Sequence, residues 1–237
     1  MGIISLLTSF WHGCIGVPRC LLCHCNAHKS GLCQDCWADL CTLQRNNTQL
    51  CPRCTSSVSC ATICERCQLK RHPVTALYAS YCYQAPLQQL LRAFKHKGQL
   101  AILDTLAALM LARPPTWLQQ GIVDGVLAMP LSRTRLFERG FNQSHMLAAQ
   151  VAQQYGLPLL PMHCIQRSHR PPQSTLKSKQ RHKNVRGVFQ VRQDLKNRSL
   201  LIIDDVVTTG ATISELAQTL KNCGVAQIYA WTLAHPK

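Results

Sequence analysis

Two kinds of residue in this chain are spaced for chemistry: one pair of adjacent carboxylates and several paired cysteines. The carboxylates, Asp204 and Asp205, close the aliphatic run 200–203 in the stretch LLIIDDVVTTGAT (200–212). A continuous apolar run of that length reads as a buried strand, and in parallel α/β sheets ligands bind beyond the carboxyl ends of the strands. Two carboxylates at such an end are costly unless something meets their charge. The residues that follow, Val206, Val207, Thr208, Thr209, Gly210, Ala211 and Thr212, lead into a helix. They offer small side chains, hydroxyls and N-terminal backbone N–H groups, which suit a phosphate monoester. Carboxylates beside that seat do not bind phosphate, but they accept hydrogen bonds from sugar hydroxyls and support a Mg²⁺ that bridges to further phosphates. A ribose 5-phosphate satisfies both halves of the loop.

The cysteines form an internal repeat. CLLCHCNAHKSGLCQDC (20–36) and CPRCTSSVSCATICERC (51–67) both read C-x2-C-x9-C-x2-C. Each C-x2-C is a turn that aims two sulfurs at one point, and two such turns complete the closed tetrahedral shell of a structural zinc site. The simplest pairing puts Cys20, Cys23, Cys33 and Cys36 on one ion and Cys51, Cys54, Cys64 and Cys67 on another; a cross-braced exchange between the copies is the alternative. Cys14, Cys25, Cys41 and Cys60 are then surplus, and His24 and His28 are not needed as ligands. Twelve of the 15 cysteines lie between Cys14 and Cys67. The opening MGIISLLTSFW lacks a basic start and a small-residue cleavage site and reads as a short helix rather than a signal peptide. Paired cysteines without such a leader favour metal thiolates in a reducing, cytoplasmic compartment over a disulfide framework.

Around these sites the pattern is that of an α/β protein. No apolar run is long enough to span a bilayer. After KRHPVT the cysteines thin out, which places a boundary near Pro73: an apolar segment at 1–17, a double zinc ribbon at 18–72 and an α/β domain at 73–237. A chelator is therefore expected to unfold only the N-terminal module. Strands are predicted at 75–83, 124–130, 199–205 and 226–234. Helices are predicted at 86–94, 100–111, 141–156 and from Thr212 to Gly224, with Gly98 as a break and Pro114 as a stop. Strands alternating with helices indicate a mostly parallel sheet covered on both faces. The formal charge of +16, about +12 with two zinc tetrathiolates, calls for an anionic partner, polyphosphate or nucleic acid.

The stretch 200–212 resembles the 5-phosphoribosyl-1-pyrophosphate (PRPP) signature of type I phosphoribosyltransferases at every position. Three further elements narrow the resemblance to the ComF family, which includes GntX-like proteins: FKHKG (94–98), MPLSRTRLFERGFNQ (129–143) and RPPQSTLKSKQRHKNVRGVF (170–189). The resemblance implies a type I phosphoribosyltransferase fold, Rossmann-like with a mostly parallel sheet, carrying a small N-terminal double zinc ribbon. It implies PRPP with Mg²⁺, zinc as a structural ion, and a link to competence and DNA uptake.

The resemblance also distributes roles. Asp204 and Asp205 would hold the ribose hydroxyls, and residues 206–212 the 5′-phosphate. A pyrophosphate loop is expected at 131–140, with Arg133 and Arg139 as its contacts; alternatively ERGFNQ is structural, Gly140 starting the helix, Phe141 packing inward and Asn142 or Gln143 tying down the loop. Residues 167–186 hold seven Lys or Arg and no acid. They match a flexible hood on which Gln173, Leu176, Arg181 and Asn184 fall on the family pattern, Arg181 being the candidate for catalytic contact. Three readings stay open: a PRPP-dependent transferase with an unknown acceptor, a non-catalytic PRPP sensor, and a factor that handles single-stranded DNA with the DNA-uptake machinery. A homodimer is compatible with each. The ribbons are nearly neutral once two zinc sites are counted, so a structural or docking role suits them better than phosphate-backbone binding.

Overall fold

The computed structural model describes residues 18–28, 30–59, 62–69, 72–169 and 186–236. The apolar N-terminal segment, Cys14, Cys60 and most of the basic stretch, with Gln173, Leu176, Arg181 and Asn184, lie outside the described residues. The chain divides into two compact units, Met1–Thr42 and Leu43–Lys237. The division falls ahead of the second cysteine set. The first unit holds the first set and helix α1 (Gln34–Thr42).

The second unit is built on four parallel strands: β1 (Ala76–Cys82), β2 (Gly125–Ala128), β5 (Ser199–Val206) and β6 (Gln227–His235), in the order β1-β6-β5-β2. Leu200, Leu201, Ile202 and Ile203 are all 0% exposed. Covered on both faces, a central strand is apolar at successive positions rather than alternating. On one face Leu77, Leu200, Ile202, Ile228 and Ala230 join Ile213, Leu216, Ala217 and Leu220 of α7 (Ala211–Asn222) in one core. On the other, α6 (Gln143–Tyr155) lies against β2 and β5, with α4 (Leu103–Leu111) beside it. Trp231 there meets Tyr155 edge-on and donates to Ser80 Oγ at 2.9 Å. Ahead of α4, α3 (Leu87–Lys97) ends at Gly98 with φ +59°, a left-handed cap that glycine adopts without Cβ strain.

Both sheet edges are dressed. Beside β2, Val126 N donates to Pro158 O and Leu160 N to Val126 O, each at 2.8 Å, so residues 158–160 continue the parallel ladder. A Cβ on Gly125 would sit 2.7 Å from Leu160 Cδ1, which explains a side chain without one at this crossing. Along β1 the segment 43–52 runs past the free edge. Cys82 N donates to Leu43 O (2.7 Å), Arg45 N to Ser80 O (3.1 Å) and Leu77 N to Pro52 O (2.6 Å). Unpaired edge groups invite association, and here the chain leading into the second cysteine set covers them. This is why that set travels with the second unit.

Two elements differ from expectation. Residues 131–140 are not an open loop: 133–139 form the short helix α5 (Arg133–Arg139), capped by Ser132 Oγ, which accepts from Arg135 N at 3.4 Å. Gly140 closes α5 in a left-handed conformation rather than starting a helix. The second is a small antiparallel hairpin, β3 (Ile165–Arg167) with β4 (Phe189–Val191), at the two ends of the basic stretch. Arg167 belongs to this hairpin. Its guanidinium lies 5.4 Å from the Phe189 ring centroid and donates to Pro130 O at 3.1 Å.

Candidate functional site

Asp204 and Asp205 sit at the carboxyl end of β5, where the strand gives way to the 207–210 turn. Asp205 is 5% exposed and ion-pairs through Oδ2 with Lys95 Nζ of α3, while its Oδ1 accepts from Val206 N at 2.9 Å. Asp204 Oδ1 accepts from Ser144 Oγ at 2.8 Å and from Asp205 N at 2.9 Å. Burial, and after it the charge of Asp205, lifts Asp204 to about 7; Lys95 and the Ser144 hydrogen bond pull the other way. Asp205 is thus paired with an ammonium, while burial makes its neighbour a weaker acid than an ordinary carboxyl.

Lys95 and Ser144 are the partners that sequence reasoning missed. Lys95 stands inside FKHKG, whose only signal was its match to the family pattern. Ser144 lies in the first turn of α6, where Asn142 provides the cap: its Oδ1 accepts from His145 N (3.3 Å) and its Nδ2 donates to Met129 O (3.1 Å). That hydrogen bond pins the α6 start to the end of β2, and Phe141 packs on Phe94 at 5.3 Å. Next to Ser144, Gln143 is 2% exposed. Its Oε1 accepts from Arg139 Nη1 at 3.1 Å, and its Nε2 is buried without a hydrogen-bond partner among the described residues.

The turn after the acids has the form of an anion cradle. Val207 N is anchored on Ala234 O at 3.0 Å, and the Val207 side chain is buried in the core. Gly210 takes φ +70°, Thr208 is exposed, Thr209 and Thr212 are partly exposed, and Ala211 is buried at the start of α7. The first-turn N–H groups of a helix have no intrahelical acceptor, so α7 presents donors and its positive dipole end here.

The structure separates the two candidate arginines. Arg139 is close enough to the acids that Asp205 and Asp204 partly offset the burial and the Arg135 charge that together lower its pKa. Arg133 instead lines a cavity of about 430 Å³ beyond the end of β2, together with Arg167 and Arg192. Burial lowers the pKa of Arg167 and Asp204 opposes it, so this third guanidinium also lies within electrostatic reach of the site.

Each cysteine repeat gathers its own four sulfurs, all within 4.8 Å of one another. The Cys23 and Cys33 sulfurs stand 3.5 Å apart, and those of Cys54 and Cys64 3.6 Å. A tetrahedron of about 2.3 Å Zn–S bonds has sulfurs ~3.8 Å apart, so both sets fit one zinc ion each. Backbone N–H groups of Cys36 and Cys64 reach Cys33 Sγ and Cys51 Sγ. Burial opposes ionisation of Cys20 and Cys54, yet hydrogen bonds from the Cys23 and Cys33 backbone, and from Ser56, outweigh it and hold each at about 6. Neither His24 nor His28 joins a cluster, and Cys25 and Cys41 stand outside them.

Residues 142–237 match the phosphoribosyl transferase domain model, the region that begins at the α6 cap and holds the acids and the cradle. The DNA utilization protein YhgH of Escherichia coli O157:H7 is 31% identical over 202 residues, which span 80% of this chain and 85% of that protein. The chain belongs to the ComF family. Two further relatives bear this out along most of their length. Competence protein F of Haemophilus influenzae is 29% identical over 91% of the chain and 96% of its own length. Competence protein ComFC of Bacillus subtilis is 26% identical over 84% and 82%. As a ComF protein the chain combines an α/β phosphoribosyltransferase fold with two cysteine clusters of zinc-ribbon type. No helix among the described residues is long and apolar enough to cross a membrane.

Proposed function

We propose that this ComF protein binds PRPP with Mg²⁺ in the cytoplasm and transfers ribose 5-phosphate to an acceptor. The observation that carries the reading is the junction of Asp204 and Asp205, held by Ser144 and Lys95, with the 208–212 cradle. Acids on one side suit the ribose hydroxyls, and helix N–H groups on the other suit the 5′-phosphate. Arg139, within electrostatic reach of the acids, and Arg133, in the neighbouring cavity, supply the positive charge a departing pyrophosphate needs. Mg²⁺, when bound, neutralises the polyphosphate and organises it for departure.

In the reaction the bond from ribose C1 to the pyrophosphate oxygen breaks, and pyrophosphate leaves with the electron pair. An acceptor lone pair closes on C1 as positive charge develops on the ring. Positioning and preorganised charge account for the acceleration. Arg181, in the basic stretch outside the described residues, is the further candidate to contact the leaving group. The names of the relatives tie them to competence and DNA utilisation, which gives the reaction a setting in the handling of imported DNA. Pyrophosphate release from PRPP and Mg²⁺, assayed across purines, pyrimidines and nucleosides, tests the transferase. Release with one acceptor class and none without it is expected. Tight PRPP binding with no turnover across the panel would make the protein a sensor instead.

A further inference from the structure

The second knuckle does more than hold a metal. A cavity of about 360 Å³ lies between it and the start of α7, lined by Arg53 and Arg66 from the knuckle and by His72, Thr209, Gly210 and Ser214. Its size falls within the range of small-ligand sites. Among the described residues no Asp or Glu lines it, although the Cys54 and Cys67 thiols of the zinc set do. Arg53 and Arg66 occupy the same place in their turns, the residue before Cys54 and the residue before Cys67. Closing the zinc site therefore fixes the backbone from which both side chains extend. Arg53 Nη1 is tethered to Cys67 O at 3.4 Å, and Arg66 contacts the Cys54 thiol.

Cys54, Cys67, Val74, Leu77 and Ile213 complete the lining, and His72 and Ser214 add polar groups to it. Val74 N donates to His72 Nδ1 at 3.3 Å, which places the proton of neutral His72 on Nε2, 3.4 Å from Ser214 Oγ. Ser214 Oγ accepts that hydrogen, and its own O–H is left to donate. Burial, and behind it the charges of Arg53 and Arg66, holds His72 below its ordinary pKa, consistent with positive potential in the cavity. Guanidinium forks, a hydroxyl and helix N–H groups on one cavity wall match a phosphate monoester.

We propose that this cavity seats the 5-phosphate of a sugar phosphate, and that the zinc-bearing knuckle supplies its cationic wall through Arg53 and Arg66. The inference rests on the reading of 208–212 as a phosphate cradle, and it makes the second zinc site part of the ligand site. Ribose 5-phosphate is the probe. Calorimetric titration of the full zinc-loaded chain is compared with Arg53→Gln/Arg66→Gln, with zinc measured by elemental analysis. Binding by the wild type, weakened about tenfold or more in a double variant that keeps its zinc, supports the proposal. So does recovery of most of that loss in Arg53→Lys/Arg66→Lys, which restores charge. Should the double variant shed zinc, Arg53→Gln alone decides, because the contact of Arg53 is with the Cys67 carbonyl. Affinity unchanged in the variant that decides overturns the proposal and leaves the arginines as counter-charges for the thiolates. Failure of the wild type to bind ribose 5-phosphate overturns it as well. PRPP affinity unchanged in Asp204→Asn/Asp205→Asn would sink the PRPP reading alone and leave the arginine result standing.

Discussion

The two cysteine repeats have one backbone and two fates. At the offset of the repeat, His24 and Thr55 both take positive φ, +62° and +59°. Cys20 N donates to Cys25 O and Cys51 N to Ser56 O; the bridges Arg19–Asn26 and Leu50–Ser57 correspond as well. Yet the first repeat lies in its own unit, and the second is continuous with the sheet through 43–52. Where the second carries Arg53 and Arg66, the first carries Leu22 and Asp35. Zinc chemistry dictates the turn and leaves the variable positions of each C-x2-C to be spent on something else. In the second copy they face the α7 N-terminus.

That contrast predicts unequal consequences for losing each metal. Cys51→Ser/Cys67→Ser should release the cover of β1 and lower the melting temperature of the second unit by ~10 °C or more, since structural zinc contributes several kcal/mol to folding. Cys20→Ser/Cys36→Ser should leave that transition within ~2 °C of wild type. Equal effects, followed by calorimetry with zinc content checked, would erase the distinction. This departs from the expectation that a chelator unfolds only an N-terminal module.

A smaller effect is expected at the Lys95–Asp205 pair, whose side chains are 24% and 7% exposed. Removing the cation leaves a nearly buried carboxylate unpaired. Lys95→Met should cost about 2–3 kcal/mol in urea unfolding at pH 8, discounted from a fully buried pair because the lysine is partly solvated. Adding Asp205→Asn should restore most of that loss. No restoration would mean that Lys95 acts through packing.

The most modest effect is a pH dependence. Folded Asp204 titrates at about 7, above the usual carboxylate range, so between the two values the native state holds a proton that the unfolded state has released. Stability therefore falls as pH rises through that window, and Asp204→Asn should flatten the fall. Cation-assisted ligand binding runs the other way. PRPP affinity with Mg²⁺ should rise between pH 6 and 8 by up to ~10-fold per unit below the Asp204 pKa. Identical pH profiles for wild type and Asp204→Asn would show that the proton resides elsewhere.

The parts legible in the sequence were local. The run 200–203, the glycine and threonines behind it and the helix at 211–222 are contiguous, so strand, turn and helix could be read in order. The cysteine spacing likewise carried its own geometry, and each repeat closes on itself as the simplest pairing had it. What escaped was non-local or short. Lys95 lies far in sequence from Asp205, and only packing of α3 brings them together. The helix in RTRLFER is about two turns long, too short for periodicity to reveal. The edge cover at 43–52 is polar and irregular because it is bound through main chain, which leaves no side-chain pattern. Arg53 and Arg66 looked like filler between ligands, since nothing local marks what a knuckle faces.

One measurement bears most directly on the central proposal: calorimetric titration of PRPP with Mg²⁺ into the wild type and into Asp204→Asn/Asp205→Asn. Saturable binding by the wild type and its loss in a variant with unchanged circular dichroism is the predicted result. The same affinity in both proteins would contradict the assignment of the twin carboxylates to the sugar.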